Sequence, residues 1–332
     1  MNLMAPLDGQ FRDAASVTRG DGLSMSPARE RWAARRRLME REDLSAGPDG
    51  PRSRLFGKLF RFGVQSFGRV AEPFGIHRAG RRNALAVRLN ELTLIFPDLP
   101  PAFDGYRILH VTDTHLDALP ELAAVARHAL AGVEVDMVAL TGDIHGEHRA
   151  PLNASVEPLA AALRDLEARD GRYAVLGNHD PADMAERLED VGFKMLLNES
   201  AVLHRGGDSI VVTGLDDVHR FYTPAAMRAL VDAPQGFRVA LVHSAEIADH
   251  AAAANYSLYL CGHTHGGQIC LPGGRSVFTC LNRCHFGARG QWRYDAMIGY
   301  TSNGLGVSGL PWRFNCPGEM TVITLRRHMP KE

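Results

Sequence analysis

The sequence predicts an α/β fold with a layered sheet core. Three observations carry that prediction. Short apolar runs interleave with amphipathic stretches from residue 107 to residue 261. Most of the runs stop at a polar motif. The last part of the chain returns to strand patterning, and no internal repeat is present.

In order, residues 84–94 alternate apolar and polar as a strand does. Strands follow at 107–112, 136–141, 172–176, 209–213, 238–242 and 257–261. Helices fall between or after them at 119–131, 156–168, 182–191, 223–231 and 245–253. Two further strands are predicted near 296–301 and 320–325. Together these define a domain over 84–328.

The front of the chain is different. Residues 1–51 are rich in Arg, Asp, Gly, Ser and Pro and read as a mostly disordered basic region with a short helix at 27–42. Residues 52–83 read as a linker containing an amphipathic helix. Leu55, Phe56, Leu59, Phe60, Val64, Phe67 and Val70 recur at helical spacing, with Lys58, Arg61 and Arg69 among them. Such a segment is a candidate for lying on an anionic membrane surface. The alternative is a helix docked on the protein's own core, and Gly57, Gly63 and Gly68 weaken either.

Residues 1–82 carry 16 Lys and Arg against 9 Asp and Glu, whereas the net charge of the whole chain is -1. The body is therefore acidic, which disfavours nucleic acid as a partner. All five cysteines, Cys261, Cys270, Cys280, Cys284 and Cys316, lie in the last quarter. Their odd number argues for reduced thiols rather than a disulfide framework. Cys280, Cys284 and His285 lack a fourth zinc ligand at standard spacing. No apolar stretch reaches the ~18 residues of a membrane span. Residues 1–20 lack the apolar core of a signal peptide. The expectation is a cytoplasmic protein, peripheral on the inner face of the cell membrane.

The chemistry sits where the strands stop. The run from Ile108 ends at Asp113 and His115. The run from Met137 ends at Gly142 and Asp143. The run from Tyr173 ends at Gly177, Asn178, His179 and Asp180. The runs from Val239 and Leu258 end at His243 and at Gly262, His263 and His265. Strand C-terminal ends are where α/β sheets build ligand sites. Mixed carboxylate, imidazole and amide donors suit Mn, Fe or Zn better than Ca. Two such ions roughly 3.5–4 Å apart can clamp a phosphate and generate a nucleophile.

These five blocks, intact and in order, resemble the calcineurin-like metallophosphoesterase superfamily. The resemblance implies a layered sandwich of two mixed β-sheets flanked by helices, and a metal-dependent phosphoric ester hydrolase. It implies that Asp113, His115 and His265 hold one divalent metal. Asn178, His243 and His263 hold the second, and Asp143 bridges both. His179 would be the general acid, with Asp180 orienting its imidazole.

A narrower resemblance rests on Gly262–Gln268 and Gly309–Pro317. It points to a bacterial membrane-associated subgroup related to hydrolases of UDP-2,3-diacylglucosamine, a lipid A precursor, and to phosphodiesterases. The chain departs from that subgroup: Gly318 follows Pro317, and a membrane span or twin-arginine signal is lacking. The expected substrate is a phosphodiester or pyrophosphate, small or lipid-linked. A nuclease or general phosphatase is the enzymatic alternative, and a non-catalytic scaffold the other.

Outside the five blocks, His110 reads as a core residue and His145 as a substrate, supporting or surface residue. His128, His148, His204, His219, His250 and His328 read as surface. Asp216 and Asp217 are candidates to face the site. Arg149, Arg220, Arg283, Arg289, Arg293 and Arg313 are candidates to grip a second phosphate. Gly304 and Gly306 read as a turn.

Overall fold

The computed structural model describes residues 26–46, 75–146, 150–276 and 278–328, and the amphipathic segment over 54–74, His148 and Arg149 lie outside them. In chain order the elements are α1 (Pro27–Ala46), α2 (Ile76–Leu85), β1 (Arg88–Phe96), β2 (Arg107–Val111), α3 (Leu122–Ala129), β3 (Met137–Thr141), α4 (Asn153–Ala162), β4 (Arg172–Val175), α5 (Met184–Asp190), β5 (Phe193–Met195), β6 (Glu199–Arg205), β7 (Asp208–Gly214), α6 (Pro224–Val231), β8 (Phe237–Leu241), α7 (Ala248–Ala253), β9 (Leu258–Cys261), β10 (Gly290–Tyr294), β11 (Met297–Thr301) and β12 (Glu319–Arg327).

They form two six-stranded sheets, ordered β1-β12-β2-β3-β4-β5 and β10-β11-β9-β8-β7-β6. Both are mixed. In the first, β2, β3, β4 and β5 run parallel and β12 is antiparallel to β2. In the second, β7, β8, β9 and β11 are parallel, with β6 and β10 antiparallel at the edges. This is the layered α/β sandwich that the sequence implied.

The apolar runs have a direct cause. Successive residues of a strand point to opposite faces, and the central strands are covered on both. Ile108, Met137 and Ala139 meet Val239, Leu241, Leu258 and Leu260 between the sheets. Their neighbours Leu109, Val138 and Leu140 face outward onto Leu122, Leu159 and Leu188 of α3, α4 and α5. On the other side Ala240, Val242 and Tyr259 pack under Leu230 of α6 and Ala251 of α7. Strands buried on both faces read as continuous hydrophobic runs, and each Leu so buried contributes about 1.5–3 kcal/mol.

Several boundaries differ from the sequence reading. The alternation over 84–94 begins too early, because Ala84 and Leu85 close α2, where Ala84 is buried in the outer core. The linker over 52–83 therefore ends in a helix. The helix over 245–253 is a 3₁₀ turn (Ala245–Ile247) followed by α7. The edge strands β5, β6 and β10 escaped the sequence reading. Among the described residues, no helix is long and apolar enough to cross a membrane.

Candidate dinuclear metal centre

The loops that leave β2, β3, β4, β8 and β9 at their C-terminal ends meet at one point between the sheets. Gly142 (φ 89°) lies so close to the next loop that a Cβ there would sit 2.5 Å from the Gly177 backbone nitrogen. A Cβ on Gly262 would collide with the Asp113 carboxylate and Thr112. Glycine at these two positions lets the loops touch backbone to side chain or backbone to backbone.

Two clusters result. The donor atoms of Asp113, His115 and His265 lie within 4.8 Å of one another, and so do those of Asp143, His243 and His263. All six residues are buried. Asn178 joins the second cluster: its Oδ1 is 3.0 Å from His243 Nε2 and 2.8 Å from His263 Nδ1. Asp143 faces both clusters, with Oδ2 at 3.3 Å from His243 Nε2 and 3.8 Å from His115 Nε2.

The backbone carries strain here. Asp113, His115, Asp143, His263 and His265 all have positive φ, between 38° and 72°. Each such residue costs about 1–3 kcal/mol and persists only where its surroundings over-determine it.

Three imidazoles are aimed by a carbonyl on their far side. His115 Nδ1 lies 3.0 Å from the His145 carbonyl, His243 Nδ1 2.8 Å from that of Thr141, and His263 Nε2 3.3 Å from that of Cys280. A ring N–H donating outward leaves the other nitrogen as an unprotonated donor toward the cluster. Buried His115 Nε2 and His265 Nδ1 have no hydrogen-bond partner. Leaving such atoms unmet costs about 1–3 kcal/mol each. A divalent cation among neutral imidazoles and carboxylates would satisfy His115 Nε2, and His265 turns its other nitrogen, Nε2, to Asp113 Oδ1 at 3.4 Å, so the donor set fits a metal.

The electrostatics agree. Burial opposes charge on His243, yet the Asp143 and Asp113 carboxylates raise it to about 10. Burial likewise opposes ionisation of Asp143, but His243 and His179 hold it well below the usual carboxylate range. Burial raises Asp113 to about 6 despite His243 nearby. Carboxylates concentrated in a dry site attract cations, and metal competes with protons for the same atoms.

His179 stands apart from both clusters. Its ring meets that of His115 edge-on at 5.4 Å, it is only partly buried, and its backbone N–H donates to Asp143 Oδ1. Asp180 engages the loop backbone. Its Oδ2 accepts the N–H groups of Asp143 and Gly177, and its Oδ1 those of Ile144 and His145. Both oxygens are thus committed to backbone donors of residues 143–145 and 177.

Other residues fall differently from the sequence reading. His219, expected at the surface, packs its ring 4.2 Å from that of His263 and is held by Glu246 at 3.2 Å. Asp217 supports it by accepting the N–H groups of His219, Arg220 and Phe221. Arg313 grips no phosphate: it is fully buried and donates to the carbonyls of His265, Asn303, Gly304, Gly306 and Cys316. Arg283 pairs with Asp249, and Arg289 donates to the Gly274 carbonyl. His110 is a core residue bonded to Thr141. The turn at Gly304 and Gly306 presses against Asp113 and Thr114. All five cysteines are free, and neither metal-type cluster among the described residues contains one.

Residues 106–267 match the family model described as calcineurin-like phosphoesterase. The chain is similar to the uncharacterized metallophosphoesterases YkoQ and YkuE of Bacillus subtilis. It is 29% identical to YkoQ over 76% of this chain and 94% of that protein. It is 29% identical to YkuE over 80% of this chain and 94% of that protein. It is also 26% identical to the phosphodiesterase YaeI of Escherichia coli, over 66% of this chain and 82% of that protein.

Proposed function

Since this chain is a calcineurin-like metallophosphoesterase, and so a metal-dependent phosphoester hydrolase, we propose that it cleaves a phosphodiester or pyrophosphate bond in a lipid-linked substrate of the UDP-2,3-diacylglucosamine type. The observation that carries the hydrolytic reading is the pair of three-residue clusters, one containing Asp143 and the other with His115 Nε2 3.8 Å from the Asp143 carboxylate. Asp113, His115 and His265 would hold one divalent ion. Asn178, His243 and His263 would hold the other, with Asp143 common to both. The mixed nitrogen and oxygen donors favour Mn, Fe or Zn. When bound, two such ions supply Lewis-acid activation of water and of the phosphoryl group.

The chain's own residues do the rest. The carbonyls behind His115, His243 and His263 fix ring tautomer and direction. His179, accessible from solvent and beside the first cluster, protonates the departing oxygen as its bond to phosphorus breaks. Asp180 holds the two loops that carry Asp143 and His179 at a fixed separation. We assign residues 84–328 as the catalytic domain. The lipid-linked part of the reading rests on the Phe-rich basic segment at 54–74, which would bring the enzyme to an anionic membrane surface.

A panel tests the proposal. The full chain, loaded with Mn, is offered a soluble aryl diester, an aryl monoester, a nucleoside-diphosphate lipid in anionic vesicles, and single-stranded DNA. The expected result is turnover of the diester and the highest kcat/KM on the nucleoside-diphosphate lipid. Preference for DNA, weakening steeply with salt, would identify a nuclease instead. No turnover of any member would contradict hydrolysis.

A further inference from the structure

Helix α1 lies outside the matched residues 106–267, and the front of the chain reads as a disordered basic region, yet one of its arginines reaches the catalytic loop. Arg36 is 1% exposed. Its Nη2 donates to the carbonyls of Gly177 at 2.9 Å and of Asp180 at 2.8 Å. Those carbonyls flank Asn178 and His179. Nη1 pairs with Asp216 and Nε with Glu40 at 3.2 Å. The guanidinium lies over the Phe221 ring at 3.7 Å. Its partners are themselves held: Trp32 Nε1 donates to Asp216, and the Ala182 N–H donates to Glu40.

We propose that Arg36 is a positioning residue for phosphoester hydrolysis, clamping residues 177–180 from outside so that Asn178 and His179 keep their reactive geometry. The clamp is two-sided. Asp180 grips the Gly177 N–H from within, and Arg36 grips the Gly177 and Asp180 carbonyls from without. The four-residue arch between them carries one proposed metal ligand and the proposed acid. Within the loop the Gly177 carbonyl also accepts the Asp180 N–H, at a longer 3.4 Å, so Arg36 is its closer donor and adds the hold on the Asp180 carbonyl.

The chemistry of the contact suits arginine alone. Burying a cation is costly unless it is paired and fully hydrogen-bonded. Here two carboxylates and two carbonyls take up a planar fork that stacks on an aromatic ring, which an ammonium group cannot reproduce. The exposed pairs of α1, such as Arg37 with Asp183, would suffice for simple docking only weakly. Arg36 instead is buried and holds the loop backbone itself, at the Gly177 and Asp180 carbonyls.

The inference rests on the hydrolase reading above. The test compares the full wild-type chain with Arg36→Ala and Arg36→Lys on a soluble alkyl diester, whose departing oxygen needs the proton that His179 would supply. Metal content is measured in each. For Arg36→Ala the expected result is a kcat lower by about 10–100-fold, since misplacement by about 1 Å costs on that order. KM and the two-metal content should change little. Guanidinium chloride at millimolar concentration should restore kcat saturably, ammonium chloride should not, and Arg36→Lys should remain impaired. If Arg36→Ala does not fold, the double variant Arg36→Met with Asp216→Asn removes both buried charges together and should show the same loss of kcat. An unchanged kcat in either folded variant overturns the proposal. So does a loss that tracks the unfolded fraction by circular dichroism and shows no guanidinium rescue. Silence of the wild-type chain itself would instead overturn the hydrolase reading.

Discussion

Asp143→Ala is expected to empty both metal positions and to lower kcat/KM by about 10³-fold or more, because two-metal activation is worth several kcal/mol. The size of the effect comes from where the carboxylate sits. Oδ2 is within 4 Å of His243 in one cluster and His115 in the other, so one truncation weakens both. Oδ1 also accepts the His179 N–H, so the acid loses part of its support as well. Removing the carboxylate leaves His243 buried with less negative charge beside it and makes the site less attractive to any dication. Elemental analysis of the purified variant checks this. Full occupancy would refute the shared role of Asp143, and a single retained ion would show that one cluster stands without it.

His179→Ala is expected to do the opposite to the metals and something similar to the rate. His179 belongs to neither cluster, so both ions should remain. Turnover should fall by about 10²–10⁴-fold, the usual worth of a positioned general acid. The loss should depend on the leaving group. An aryl oxide departs without help, so a nitrophenyl diester should lose little. An alkyl diester needs its departing oxygen protonated and should bear most of the loss. Equal losses on both substrates would contradict a proton-transfer role, and loss of metal would show that His179 supports a cluster.

Much of this arrangement is readable in the sequence for a physical reason. The central strands are covered on both faces, so their pattern is a run of apolar residues that stops abruptly. Each stop is marked by a short polar motif, and the sheet brings those stops together. Asp113 and His263 are 150 positions apart, yet the N–H of His263 meets the carboxylate of Asp113. The edge strands β5, β6 and β10 were hidden because they are short or exposed along part of one face and carry polar residues there.

Local pattern does not encode a contact between distant polar groups. Arg313 looks like a surface cation in sequence, but it is buried beneath the Gly304 turn with its donors on five backbone carbonyls. His219 has no metal-ligand spacing and reaches His263 only because Asp217 and Glu246 hold it there. The Cys280 carbonyl that faces His263 has no side-chain signature at all. Arg36 lies in a helix of low apolar content, and its partners Gly177, Asp180 and Asp216 come from the opposite part of the chain. The five positive-φ residues of the centre are likewise invisible in sequence, because Asp and His tolerate that conformation only under the constraint of the packed loops.

Anomalous X-ray scattering from crystals of the full chain grown with Mn tests the shared dinuclear centre most directly. The expected result is two peaks about 3.5–4 Å apart, the usual separation in two-metal hydrolases. One should be ligated by Asp113, His115 and His265, the other by Asn178, His243 and His263, and Asp143 should touch both. A single peak, or two that do not share Asp143, would contradict it.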